Sequence, residues 1–367
     1  MAEHFDTVVV GAGQAGLAAG YHLARHGRRF VILEAADRAG GTWLNRWDSV
    51  RLFTPATHDG LPGMPFPGGY GFPTGAEMAA YLSAYAERFS LPIRTGVRVD
   101  GLFRDGDRYL VTAGTEAYSA DNVILATGPH RAPRTPAFAG ELSPAIRQLH
   151  AAEYRNPGQL RPGPVLVVGA GNSGADIAVE VAATHPVMLA GRHPGHVPIQ
   201  IESRSVRLVF PFVWFAWTYV LTRRTRWGRK LREDLLGHGE SLVRIKPDDI
   251  DAAGIERTPR IEGVIEGKPA TEDGRVLDVA NVVWATGYRP SFGWVSLPGL
   301  DGSGHLPNDR GRVLAQPGLY VVGQYFQYSY NSDTVGGVGR DAAFVVADLT
   351  RRAVRAASTP PTRALAA

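Results

Sequence analysis

Two glycine triplets carry the spacing that most directly implies chemistry in this 367-residue chain: Gly11, Gly13 and Gly16, then Gly169, Gly171 and Gly174. Each spells G-x-G-x-x-G, a pattern that lets a backbone close on a pyrophosphate. The first glycine permits a tight turn, the second leaves room for the phosphates, and the third lets helix and strand pack closely. Short apolar runs precede them, Val8-Val9-Val10 and Pro164-Val165-Leu166-Val167-Val168, and helical runs follow, Leu17 to His26 and on to Val181. A strand, a glycine turn and a helix in that order aim free helix N–H groups at an anion. One such motif is weak evidence; two in the same context make dinucleotide binding the expected role.

The two units differ where a nucleotide would be told from its phosphorylated relative. The strand Phe30 to Leu33 ends in Glu34, whereas Arg192, beside His193, stands at the same interval past Gly169. An acid there accepts from a free ribose and repels a 2′-phosphate; an arginine suits the phosphate. The first unit therefore reads as the FAD site and the second as the NADPH site, with a solvated loop cation as the alternative role of Arg192. To FAD we assign Gly11, Gly13, Gln14, Ala15, Gly16, Glu34, the Gly41-Thr42-Trp43 run, Val97, Ala126-Thr127-Gly128, Gly323 and Gln324. To NADP go Gly169, Gly171, Asn172, Ser173, Gly174, Arg192, His193 and Ala285-Thr286-Gly287. No metal-ligand set is expected, and Asp176 and Glu180 on the second helix read as a solvated face.

The positioning elements follow in order. Residues 49–75 are rich in Pro and Gly, cannot be regular helix, and read as a long functional loop. Ala76 to Phe89 is an amphipathic helix with Met78, Tyr81, Leu82 and Tyr85 on its core face. Pro92-Ile93 and Gly96 to Val99 introduce a strand, and Leu102 to Thr112 holds a hairpin. Strands ending at Gly128 and Gly287 repeat Ala-Thr-Gly and mark crossings between domains, with Pro129 to Pro136 as a hinge. The last helix, expected over Arg340 to Arg351, would turn its N-terminus to the flavin pyrimidine. Leu208 to Leu221 reads LVFPFVWFAWTYVL, with Arg223, Arg224, Arg226, Arg229, Lys230 and Arg232 behind it. It is too short to span a bilayer, which needs ~20 apolar residues. Burial against the body is the expected arrangement; peripheral membrane contact through 208–232, a channel wall and a homodimer interface stay open.

The expected fold is α/β: two Rossmann-like dinucleotide-binding domains in a glutathione-reductase-like arrangement. A discontinuous FAD domain (1–155 and 286–352) would carry an inserted NADP domain (156–285) bearing an apolar and basic insertion near 204–232, with 353–367 a mobile tail. The absence of cysteine excludes the dithiol chemistry of disulfide reductases and sulfide–quinone reductases. A net charge of +4 over this length gives no reason to expect nucleic acid. The first residues lack the cationic start of a signal peptide, so the expected location is cytoplasmic.

These elements resemble the class B flavoprotein monooxygenases, the group of flavin-containing monooxygenases, YUCCA enzymes and Baeyer–Villiger enzymes, near small bacterial NAD(P)/FAD-dependent oxidoreductases. The resemblance covers nearly the whole chain. It rests on both glycine motifs, Gly41-Thr42-Trp43, the Leu-Pro-x-Met-Pro-Phe-Pro run at 61–67 and Trp284-Ala285-Thr286-Gly287-Tyr288. It implies that NADPH reduces FAD, that O2 adds to give a C4a-(hydro)peroxyflavin, and that oxygen passes to S, N or a carbonyl carbon of a small organic substrate. The flavin would do the chemistry, so no confident catalytic residue is assigned; Phe53, His150 and Tyr154 are candidate active-site or linker positions. Two features depart from the group. The fingerprint F-x-G-x3-H-x3-(F/Y/W) is stretched between Phe138-Ala139-Gly140 and His150-x3-Tyr154, and Phe53 stands where flavin-containing monooxygenases carry an asparagine. The competing functions are a flavin-dependent NADPH oxidase or reductase without oxygen insertion, and a nucleotide-sensing subunit without turnover.

Overall fold

The structure is a computed structural model and describes residues 2–358 apart from 129–131, 198–200, 202, 204–205, 239–240, 290–291 and 301–305. The hinge residues 129–131, the 204–205 end of the expected insertion and the tail beyond 358 lie outside the described residues. The chain starts with β1 (Glu3–Val10), α1 (Gln14–Arg25) and β2 (Phe30–Leu33). A short α2 (Gly41–Leu44) and an irregular segment lead to α3 (Gly75–Arg88). Thr74 starts α3 through a capping box in which its side chain accepts from the Glu77 N–H and the Glu77 carboxylate accepts from the Thr74 N–H. Then come β3 (Ile93–Arg94), the hairpin β4 (Gly101–Asp105) and β5 (Arg108–Ala113), and the long β6 (Glu116–Leu125).

After β7 (Ala132–Pro133) and β8 (Arg147–His150) the second unit repeats the plan as β9 (Val165–Val168), α4 (Asn172–Ala182) and β10 (Val187–Ala190). It continues with α5 (Val206–Phe215), α6 (Arg226–His238), α7 (Pro247–Ala252), β11 (Glu256–Thr258), the ribbon β12 (Ile261–Ile265) and β13 (Lys268–Thr271), and β14 (Asn281–Trp284). The return leg holds β15 (Tyr288–Arg289), β16 (Asn308–Asp309), β17 (Arg312–Val313), β18 (Leu319–Val321) and α8 (Val335–Ser358).

Two sheets result. The first runs β16-β17-β18-β6-β1-β2-β3 with the β4–β5 hairpin joined to β6; the second runs β11-β10-β9-β14-β8. β1 is parallel to β2 and β6, and β9 is parallel to β10 and β14. In both sheets the chain therefore goes one way from the central strand and later comes back on its other side. Open α/β sheets bind ligands at such a switch point. The first sheet buries one face under α1, α3 and α8, through residues such as Leu17, Leu82 and Val345. Tyr81 and Tyr85 of α3 hold the proline-rich loop by donating to the carbonyls of Met64 and Pro62 at 2.6 and 2.7 Å.

Four expectations need correction. Strand pairing at 93–99 is confined to Ile93–Arg94: Gly96 takes φ +70°, and the Val97 N–H leaves the ladder to bond the Glu34 carbonyl. α8 starts at Val335, taking in the glycines expected to precede it, and runs to Ser358 across the start of the expected tail. Asp176 and Glu180 are no solvated pair. Asp176 is buried and ion-paired with Arg244 at 3.1 Å, and Glu180 accepts from the Tyr154 hydroxyl at 2.7 Å. Burial of 208–221 holds for one face only: Val206 and Phe210 are buried, while Leu208, Phe212, Phe215 and Tyr219 are exposed.

Candidate functional site

The two glycine turns have the same geometry. Gly11 and Gly169 take φ +107° and +113°, and a Cβ on either would collide with the carbonyl oxygen of Ala126 or Ala285. The Ala-Thr-Gly segments after β6 and β14 thus sit directly beside the turns after β1 and β9. A Cβ on Gly16 or Gly174 would overlap the carbonyl oxygen of Gly11 or Gly169, so these glycines let the helices approach their own turns. The middle glycines behave differently. An added Cβ on Gly13 or Gly171 meets nothing within 4 Å. Both are N-caps without a side-chain cap, so no side chain there caps the first N–H groups of α1 and α4, and neither helix has an acidic residue in its first turn.

Around the first turn the expected residues converge. Glu34 accepts from the Ala12 N–H at 2.6 Å and from the Ala36 N–H at 2.8 Å, which fixes its carboxylate against the turn. Each oxygen keeps a second lone pair for a hydroxyl. The Gly40 N–H bonds the Ala12 carbonyl and starts α2, so Gly41, Thr42 and Trp43 pack over the turn. The Trp43 indole donates to the Gln14 side chain at 3.3 Å, and Gln14 donates on to the Asp333 carbonyl at 3.4 Å, just ahead of α8. Gly323 lies close against Ala15, where a Cβ would be 2.7 Å from that methyl group. The buried Thr127 Oγ1 and Gln324 Nε2 have no hydrogen-bond partner among the described residues. Buried polar atoms without partners are costly, and groups of them mark a place where a ligand supplies the bonds. The first turn, its acid and these two atoms fit a bound dinucleotide.

At the second turn Arg192 is exposed at the end of β10 and makes no hydrogen bond or ion pair among the described residues. His193 accepts from the Gly195 N–H through Nδ1. Asn172 is committed to the protein: it donates to the Ser241 carbonyl and accepts from the Val243 N–H, tying α4 to the chain beyond α6. Ser173 is half-buried in the first turn of α4. Thr286 donates to the Arg134 carbonyl, joining the two crossings between the sheets.

The three candidate active-site or linker residues separate. His150 is buried at the end of β8, donates through Nε2 to the Gly287 carbonyl and accepts from the Ala152 N–H; burial holds its imidazole below the usual histidine range. Tyr154 is fully buried in the core of the second sheet and bonded to Glu180, so it packs rather than lining a site. Phe53 is half-buried in the irregular segment. Six residues further on lies a group that residue spacing did not single out. Asp59 is fully buried, accepts from Thr54 Oγ1 at 2.5 Å and leaves its other oxygen without a partner; burial pushes its carboxyl up to about 7. No local signal marks it, because Thr54 to Asp59 reads as an ordinary loop. The neighbouring His58 ring packs on Phe210 and Trp214 of α5 at 4.9 and 5.0 Å.

Residues 8–205 match the pyridine nucleotide-disulphide oxidoreductase family, and the chain belongs to that family. It is 37% identical to an uncharacterized oxidoreductase described as CzcO-like from Geobacillus kaustophilus, over 94% of this chain and 98% of that one. It is 30% identical to the indole-3-pyruvate monooxygenase YUCCA1 of Oryza sativa subsp. japonica, over 86% of each. A mutant of the flavin monooxygenase from Stenotrophomonas maltophilia superposes with a TM-score of 0.77 at 30% identity, covering 96% of this chain and 99% of that one. Within the family, the chain is a class B flavoprotein monooxygenase.

Proposed function

We propose that the chain is an NADPH- and FAD-dependent monooxygenase acting with O2 on a small organic substrate. The observation that carries this reading is the paired turns: uncapped helix N-termini at Gly13 and Gly171, followed by Glu34 in one unit and, in the other, an exposed Arg192 with no partner among the described residues. On this reading both units are Rossmann-like in a glutathione-reductase-like arrangement. Residues 1–155 with 286–352 hold FAD and 156–285 hold NADPH.

Gly11, Gly13 and Gly16 shape the cradle for the FAD pyrophosphate, and the α1 N–H groups neutralise its charge. Glu34 holds the adenosine ribose, while Trp43, Thr127 and Gln324 complete the surround. Val97 supports Glu34 from behind through its N–H bond to the Glu34 carbonyl. The N-terminus of α8, linked to α1 through Gln14 and Asp333, offers partial positive charge to electron-rich atoms nearby. Gly169, Gly171 and Gly174 cradle the second pyrophosphate, and Arg192 selects the 2′-phosphate through charge-assisted hydrogen bonds. When bound, the flavin supplies the electron transfer and the reaction with O2; the protein positions both nucleotides and excludes water.

The test is direct. Purified protein is expected to carry one FAD per chain, and its flavin absorbance is expected to bleach under nitrogen on addition of NADPH. Protein that retains no flavin after reconstitution contradicts the proposal.

A further inference from the structure

The segment after β10 presents an apolar surface that the proposed reaction does not use. The inner side of α5 and of the helical turn Ala216–Val220 that continues it is fixed to the body. Phe210 and Trp214 pack on His58, and Trp217 packs on Tyr330 with ring centroids 4.9 Å apart. Thr218 accepts from Asn331 Nδ2 through its hydroxyl and from Arg340 through its carbonyl. The outer side carries Leu208, Phe212, Phe215 and Tyr219, at i, i+4, i+7 and i+11 along one stripe. They are 78%, 76%, 57% and 60% exposed. No charged residue stands between Arg207 and Arg223. A helix apolar on both sides belongs in a core or in a non-aqueous medium, and this one is held so that half of it lies outside the core.

What surrounds the stripe identifies the medium. Trp227, at the start of α6, is 77% exposed, and Arg224, Arg226, Arg229 and Lys230 around it are exposed as well. None of these four cations forms a salt bridge among the described residues. From 223 to 234 there are six cations against Glu233 and Asp234. A second copy docked by a two-fold axis would set this cationic surface against itself. Anionic headgroups answer the charge while acyl chains take the stripe, and interfacial Tyr and Trp suit the boundary between them. No helix among the described residues is long and apolar enough to cross a membrane, so contact would be in the plane of the surface.

We propose that α5, the turn after it and the basic start of α6 form an in-plane docking site for anionic lipid bilayers. This holds independently of the reaction the enzyme performs. The test is flotation of the full-length, FAD-loaded protein with phosphatidylcholine vesicles, with and without phosphatidylglycerol, at low and high salt. Binding is expected only with the anionic vesicles and should weaken with salt, because the cationic rim is screened. Phe212→Ser combined with Phe215→Ser should lower binding roughly tenfold or more at either salt. Arg226→Glu with Arg229→Glu should abolish the preference for phosphatidylglycerol. All four side chains are exposed, so retention of FAD and an unchanged melting temperature serve as the folding control; a second pair, Leu208→Ser with Tyr219→Ser, replaces the first if that control fails. Absence of vesicle binding by the native protein overturns the proposal. So does sedimentation equilibrium showing a dimer that the Phe212 and Phe215 substitutions dissociate, since a second copy would then cover the stripe.

Discussion

His150 Nε2 and the Gly287 carbonyl oxygen lie 3.1 Å apart and join the end of β8 to the crossing that follows β14. The Ala152 N–H donates to Nδ1 at 3.0 Å, which assigns the proton to Nε2 and makes the imidazole neutral. Gly287 also accepts from the Arg134 N–H, and β7 pairs with β15, so both crossings between the sheets are held at one carbonyl. Burial lowers the folded-state pKa of His150 below its ordinary value of 6.5. The unfolded chain then binds more protons as the pH falls, so this contribution is complete above about 6.5 and is lost as pH drops below it. His150→Ala should cost roughly 1–2 kcal/mol at pH 8 and less at pH 5.5. Urea unfolding at both pH values checks this; an equal cost at both would detach His150 from the acid sensitivity.

Asp59 should act in the opposite direction. Its folded pKa, near 7, lies above the ordinary value of 3.8, so the folded protein holds the extra proton. Its contribution is complete below about 3.8 and is lost as pH rises through about 7. Asp59→Asn keeps an acceptor for Thr54 and removes the buried charge. It should raise stability by roughly 1–3 kcal/mol at pH 8 and by less at pH 5, where only part of the window between the two pKa values has been crossed. Thermal unfolding at the two pH values reads the difference.

The glycines of the first turn should separate folding from binding. Gly13→Ala puts a methyl group into open space and should fold normally while losing FAD. Gly16→Ala drives a Cβ into the Gly11 carbonyl and should reduce soluble, folded protein before any question of cofactor arises. Flavin content and circular dichroism of both variants check this pair. Full FAD retention by Gly13→Ala would remove the first unit from the binding assignment.

Arg192→Ala should abolish the preference for NADPH. A charge-assisted contact is worth ~1.5–3 kcal/mol, or roughly 10- to 150-fold in affinity, while NADH kinetics should stay nearly unchanged. Reductive half-reaction rates with both coenzymes are the measurement. Equal losses with both would give Arg192 only a role in shaping the loop.

How much of this was legible in the sequence depended on how local the cause was. Turn, helix and strand of each glycine unit lie within a few dozen residues, so β2 appears at Phe30–Leu33 as its apolar run predicts. Asp176 reads as solvated because its partner, Arg244, is remote in sequence and nothing near Asp176 announces it. The apolar run at 208–221 has the same cause: composition gives hydrophobicity, but which face finds a neighbour depends on His58, Tyr330 and Arg340. Tyr154 kept the spacing of a linker residue, yet its hydroxyl is taken by Glu180 in the core.

Electrons from NADPH should reach a bound FAD and then O2, and rapid mixing follows both transfers. The protein is reduced under nitrogen with NADPH, mixed with oxygenated buffer, and followed through the flavin absorbance, in the native form and as Phe53→Asn. Reduction should be faster with NADPH than with NADH, and reoxidation should then pass through an absorbance band belonging to neither oxidised nor reduced flavin. That band should decay to H2O2 in the absence of substrate and persist longer in Phe53→Asn, where an amide replaces a phenyl ring that can only pack. Flavin that NADPH fails to reduce, or that reoxidises in a single step without the distinct band, would contradict it.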